Sequence, residues 1–303
     1  MGRVSAIEWT HSTFNIWWGC TKISPGCQNC YAERLANRYG TGWGPEPRRF
    51  LSEKYWLEPH KWERKAAKAG VRHRVFCSSM ADVFEITPGL DGHRMNSGRE
   101  ALWQLIEDTP HLDWLLLTKR PQNVQELTPM RWWKGWPPNA WLGVSVEDQP
   151  NASIRLPILA DLQKVHGIRR SFVSAEPLLG EIETLRTHGG WLPDWVICGG
   201  ESGPDARPMD PRWPRGLRDY CQANGVKFFF KQWGEWSPEK PPGFARLTDK
   251  TWTHQTAAWA KDGTRYNPVM PAPEHFPEVT AYRIGKRAAG RILDGRTWDE
   301  IPA

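Results

Sequence analysis

Three cysteines within eleven residues constrain this chain more than any other feature. The segment Gly19-Cys20-Thr21-Lys22-Ile23-Ser24-Pro25-Gly26-Cys27-Gln28-Asn29-Cys30-Tyr31 carries half of the six cysteines, spaced C-x6-C-x2-C. Ahead of it, Phe14-Asn15-Ile16-Trp17-Trp18 reads as a strand. Behind it, 31–39 reads as a helix that Gly40 can close. A strand, a cysteine loop and a helix together can hold a soft metal centre at the mouth of an α/β fold. No signal peptide, transit segment or long apolar run is visible, so a soluble, cytoplasmic protein without a membrane partner is expected. In such a reducing compartment, clustered cysteines point to metal or redox chemistry before structural disulfides.

The rest of the chain alternates. Short runs rich in Val, Leu, Phe and Trp fall at 74–77, 114–117, 141–144, 171–173, 195–198 and 226–230. Helical stretches are expected at 59–69 (stopped by Gly70), 99–108, 122–127, 152–163 and 214–224. Strands without polar alternation, separated by helices, indicate a parallel sheet buried on both faces. With the opening strand they number seven, which predicts a partial or nearly closed (β/α) barrel of TIM-barrel type over residues 1–233. Residues 234–303 read as an irregular, Pro/Trp-rich extension ending in a basic helix over 282–293. Barrel chemistry sits at the C-terminal ends of the strands. Those ends here are Cys20, Ser78-Ser79, Thr118-Lys119-Arg120, Ser145-Val146-Glu147, Ala175-Glu176-Pro177, Gly199-Gly200-Glu201-Ser202 and Lys231-Gln232-Trp233. Walker-type phosphate loops, His-Glu-x-x-His and the Gly-x-Ser-x-Gly elbow are absent.

Three thiolates this close can bind three corners of a cubane iron–sulfur cluster and leave the fourth iron open. Two alternatives stand beside it. A structural zinc ion needs a fourth ligand, which His11 or His73 would have to supply in space. A redox dithiol of Cys27 and Cys30 ahead of a helix would leave Cys20 without a role.

The cysteine loop, with Tyr31 after the third cysteine and a barrel behind it, resembles the radical-SAM superfamily. Over its whole length the chain is similar to a phage-associated family assigned to that superfamily, through the loop, Gly-Gly-Glu-Ser-Gly and Lys-Gln-Trp-Gly-Glu-Trp. The resemblance implies a [4Fe-4S] cluster on Cys20, Cys27 and Cys30. It also implies reductive cleavage of S-adenosylmethionine (SAM) to a 5′-deoxyadenosyl radical, and an electron donor such as a flavodoxin or ferredoxin. Two departures from the superfamily pattern are six residues, not three, between the first cysteines, and Asn29 in place of an aromatic.

Cys77-Ser78-Ser79, Thr118-Lys119 and Ser145 also resemble, in order, the strand-end motifs of the spore photoproduct lyases, a radical-SAM DNA repair family. That likeness implies that Ser79, Lys119 and Ser145 hold the methionine and ribose parts of SAM and that Cys77 returns a hydrogen atom to substrate. An ammonium does complement a carboxylate, and hydroxyls suit ribose. The plain reading of Cys77 is a small core residue, and the same holds for Cys198 and Cys221. Glu176 and Glu201 are expected at the mouth, Glu176 as a SAM contact and Glu201 as a catalytic group, unless they only pair with Arg120 or Lys231. Gly199-Gly200 either lets a ligand approach the backbone or makes a tight turn.

For a substrate, a net charge of +6 and twenty tryptophans point to a nucleic-acid base or nucleotide. Trp43, Trp132, Trp133 and Trp136 lie in loops and are expected to line a groove where they can stack on bases.

Overall fold

The runs of apolar residues do form a parallel sheet, in a computed structural model that describes residues 5, 7–239, 256–260, 263–266 and 279–303. In chain order come β1 (Ser12–Phe14), β2 (Trp17–Trp18), α1 (Tyr31–Arg38), β3 (Arg49–Phe50), α2 (Glu53–Trp56), α3 (Glu58–Ala69) and β4 (His73–Cys77). They are followed by α4 (Gly89–Glu107), β5 (Leu112–Thr118), α5 (Val124–Leu127), α6 (Met130–Trp133), β6 (Ala140–Ser145), α7 (Gln149–His166) and β7 (Ser171–Ala175). The remainder holds β8 (Trp195–Gly199), α8 (Arg212–Ala223), β9 (Lys227–Gln232), β10 (Trp236–Ser237), β11 (Thr256–Trp259), β12 (Arg265–Tyr266), β13 (Val279–Arg283) and α9 (Lys286–Ala289).

Seven strands make one sheet in the order β1-β4-β5-β6-β7-β8-β9, an α/β arrangement of the partial (β/α) barrel type. Ser12 pairs with Val75, His73 with Leu112, Trp114 with Ala140 and Leu142 with Ser171, all in parallel register. β6, β7 and β8 are buried along their whole length. Both faces of such strands are covered, so no position faces water and no polar alternation is needed.

Two compact units divide the chain. The first comprises Met1–Ser145, Ser153–Ser174 and Leu185–Trp195. Its core is aromatic: Phe14 stacks on Tyr55 at 4.9 Å and meets the edge of Trp114 at 5.6 Å, while Trp9 packs on Phe76 at 4.6 Å. The second comprises Val146–Ala152, Ala175–Thr184 and Val196–Ala303. It includes an antiparallel sheet, β10-β13-β11-β12, whose core is Ala206, Trp236, Ala257, Trp259 and Ala281.

Several expectations change. The strand expected over 14–18 is interrupted at Asn15: β1 ends at Phe14, and Trp17–Trp18 leaves the sheet to pair antiparallel with Arg49–Phe50. The Asn15 side chain is the reason, because it accepts from the Met80 amide at 2.7 Å and donates to Ser79 Oγ at 3.1 Å. The helix expected over 282–293 is absent. Tyr282 and Arg283 close β13, and only the single turn Lys286–Ala289 is helical.

Trp132 and Trp136 are packed inside and do not offer their rings for stacking. They are 1% and 6% exposed, in a chain of rings in which Trp103 meets Trp132 at 5.0 Å and Trp132 meets Trp136 at 5.0 Å. Trp133 alone of these three keeps 39% of its surface. No described helix is long and apolar enough to cross a membrane.

Candidate metal centre

Each cysteine of the loop is placed by a different local device. Gly19 has φ +116°, a region that L side chains rarely adopt. A Cβ there would also stand 2.8 Å from Arg48 Cδ. Its N–H donates to the Met80 carbonyl at 3.1 Å, so Cys20 leaves β2 beside the loop that follows β4. Cys27 closes a 3-10 turn, Pro25–Cys27, with its Sγ 3.6 Å from Ser24 Oγ. Cys30 is the N-cap of α1. None of the three is in a disulfide, and all three are partly buried.

The surroundings of Cys20 are charged and buried. Arg120 follows β5; its Nη1 lies 3.7 Å from Cys20 Sγ and 3.0 Å from Asp82 Oδ2. Its Nη2 donates to the Thr21 carbonyl at 2.7 Å and lies 3.5 Å from Glu85 Oε1. Glu85 in turn accepts from the Thr21 amide at 2.8 Å and pairs with Arg48 at 3.0 Å, both side chains being 2% exposed. Asp82 accepts from Thr118 Oγ1 at 2.8 Å and from the Lys119 amide at 3.1 Å. Two arginines and two carboxylates thus fasten Cys20-Thr21 to the loops after β4 and β5. Removing one partner from such a buried pair costs on the order of 3–5 kcal/mol, because the other charge is left unpaired.

Burial pushes the Cys20 thiol up to about 12, with Asp82 and Glu85 adding to it and Arg120 opposing it. Arg120 itself is disfavoured as a cation by burial, but Asp82, Cys20 and Glu85 outweigh that and hold its pKa above the ordinary value. Burial also raises Cys30, against the backbone N–H groups of Glu33 and Ala32 in the first turn of α1 and the positive charge of Lys119. Both thiols therefore bind protons when no metal is present. A metal would displace those protons on binding.

The remaining predicted residues fall as follows. Ser79 lies between Asn15, which hydrogen-bonds its hydroxyl, and Tyr31, whose hydroxyl donates to its carbonyl at 2.8 Å. Ser145 ends β6, 5% exposed, its carbonyl accepting from Arg155 at 2.7 Å. Cys77 ends β4 with no exposed surface, its Sγ 3.4 Å from Ser78 Oγ; burial pushes its thiol up to about 12. Cys198 and Cys221 are buried. In the second unit Glu176 pairs with Lys231 at 3.0 Å, and Glu201 pairs with Arg207 at 2.6 Å.

Arg120 pairs with Asp82 and Glu85, and Glu176 takes the expected alternative partner, Lys231. The Gly199-Gly200 turn also serves the fold itself: a Cβ on Gly200 would meet the Trp233 carbonyl oxygen at 2.1 Å. Arg48, Asp82 and Glu85 escaped the sequence reading. Only Asp82 and Glu85 carried a signal, as acids in the segment that follows β4.

The donor set suits an iron–sulfur cluster: soft thiols, with cations beside two of them to offset thiolate charge. Among the described residues no three His, Cys, Asp or Glu side chains are grouped to hold one metal ion, and that holds for the three cysteines as much as for a zinc site. His11 and His73 stand at the N-terminal edge of β1 and β4, the opposite edge from the loop, with rings 5.0 Å apart. There His11 Nδ1 accepts from the Arg74 amide and His73 Nε2 bonds Ser12 Oγ, so neither is a fourth ligand.

A family model described as "Protein of unknown function (DUF5131)" matches residues 4–302. No curated protein matches the chain. Among solved structures it is similar to a spore photoproduct lyase mutant with bound AdoMet and dinucleoside spore photoproduct. That likeness covers 91% of this chain and 68% of the other at 15% identity, with a TM-score of 0.43. Another mutant of that lyase gives 15% identity over 92% of this chain and 70% of its own, with a TM-score of 0.45. These values are too low to carry an activity across.

Proposed function

The chain belongs to the DUF5131 family of proteins of unknown function, and from the site itself we propose that it is a radical-SAM enzyme with a [4Fe-4S] cluster on Cys20, Cys27 and Cys30. The observation that carries this reading is three unlinked thiols on one loop beside the C-terminal ends of parallel strands, with Arg120 3.7 Å from the first. Held by Cys20, Cys27 and Cys30, such a cluster would supply the electron for reductive cleavage of SAM.

The chain's own residues do the rest. Lys119 supplies the ammonium for the methionine carboxylate, and the hydroxyls of Ser79 and Ser145 serve the polar edge of SAM. Cys77 keeps its proton, which is the form able to return a hydrogen atom to a substrate radical. Glu176 contacts SAM and Glu201 acts on the substrate, each released from its present cation when that ligand binds. The substrate is a nucleic-acid base or nucleotide, a reading supported by the net charge of +6. A low-potential flavodoxin or ferredoxin serves as electron donor.

The test is anaerobic reconstitution with iron and sulfide. About four irons per chain, a brown colour and 5′-deoxyadenosine on adding SAM and dithionite are expected. Cys20→Ala, Cys27→Ala and Cys30→Ala should each abolish that product. Reconstituted protein that leaves SAM intact sinks the proposal. One tightly held zinc would favour a non-catalytic, zinc-stabilised nucleic-acid-binding protein. Disulfide exchange that survives Cys20→Ala but not Cys27→Ala would favour a dithiol oxidoreductase.

A further inference from the structure

Cys20 has a guanidinium in direct contact with its sulfur. The Arg120 guanidinium touches Cys20 Sγ, Asp82 and the Thr21 carbonyl at once, and Glu85, shared with Arg48, closes the other side. Asp82 is itself oriented by Thr118 Oγ1 and the Lys119 amide. Cys27 lies against Ser24, and Cys30 lies at the first turn of α1 under the charge of Lys119.

We propose that Arg120 is a positioning residue. It pins Cys20 in place before any metal arrives and, once the loop is loaded, favours the reduced state of the centre through its charge on the Cys20 sulfur. The second half rests on the reading above; the first does not. The physical reason is local. A cation in hydrogen-bond contact with a thiolate ligand stabilises the extra negative charge that one-electron reduction brings, and does so strongly where little water screens it. In that reduction one electron enters from an external low-potential donor and no covalent bond forms or breaks. The two carboxylates and two arginines cancel in charge. Losing Arg120 therefore removes a favourable cation and also exposes the sulfur to Asp82 and Glu85.

The tests separate the two halves. In metal-free protein, amide hydrogen exchange over residues 19–22 should quicken at least tenfold in Arg120→Gln, with residues 27–33 unchanged. In reconstituted protein, Arg120→Gln should make reduction at least tenfold less favourable, a fall of 59 mV or more for one electron, read by an EPR redox titration. Arg120→Lys keeps the charge without the fork, so it should recover most of the potential while exchange over 19–22 stays fast. If Arg120→Gln folds poorly because Asp82 is left charged and alone, Arg120→Gln with Asp82→Asn removes both charges and should still loosen residues 19–22.

Unchanged exchange in these variants overturns the pinning role. An unchanged potential in Arg120→Gln overturns the tuning role. Wild-type protein that takes up no iron overturns the cluster reading and the tuning that rests on it, while the exchange result still decides the pinning.

Discussion

Gly19 shows how little chemistry separates a loop that presents a thiol from one that cannot. Its φ of +116° and the Arg48 side chain 2.8 Å from a would-be Cβ are independent obstacles to any larger residue. Gly40 has φ +62° and no atom within 4 Å of its would-be Cβ, so it meets only the first. Gly40→Ala should cost about 1–2 kcal/mol, the ordinary penalty of a left-handed backbone. Gly19→Ala should reach the upper part of the ~1–3 kcal/mol range for strained sites, because Arg48 must also shift away from Glu85. Urea unfolding of the two variants measures the difference, and equal losses would show that the Arg48 contact carries no weight. Metal uptake should fall only in Gly19→Ala.

At the scale of elements, the two edges of the sheet are chemically opposite. The C-terminal edge of β1, β4 and β5 holds thiols and paired charges; the N-terminal edge of β1 and β4 holds the His11–His73 pair. Burial, then His11, Arg74 and Lys65, lower His73 from 6.5 to about 4. Burial and Arg74 lower His11, with Asp113 opposing. A histidine lowered in this way is neutral when folded and takes a proton more readily when unfolded. Its contribution is therefore complete above about pH 6.5 and is lost as pH falls from there to about 4. Urea midpoints should drop across that window, and His73→Gln should flatten the slope. A slope that His73→Gln leaves untouched would assign the loss to His11.

For the whole molecule the relevant quantity is charge. The formal net charge is +6 and the sequence pI is about 9.0. If the substrate is nucleic acid, single-stranded DNA should bind more weakly as salt rises, with a log–log slope of about −0.7 per phosphate neutralised. Fluorescence anisotropy at several salt concentrations gives that slope. Binding that ignores salt would move the recognition to the rings, of which Trp132 and Trp136 are already committed to the core. Absence of binding would direct the search to free nucleotides.

Sequence alone determined whatever depends on near neighbours in the chain. The three cysteines and their spacing, the α1 helix behind them, α3 ending at Gly70 with φ +64° and the uniformly apolar strands of a parallel sheet are all local patterns. They were legible because helix caps and strand burial are written within a few residues. Tertiary structure decided the rest. Arg48 and Glu85 are 37 residues apart and Cys20 and Arg120 are 100 apart, and no local pattern says that these charges will be buried together. β11 and β13 pair across a long stretch of sequence, and Trp132 is core only because Trp103 arrives beside it. The charges around Cys20 find their counter-charges far away in the chain, so its setting could be read only once the strands had brought their ends together.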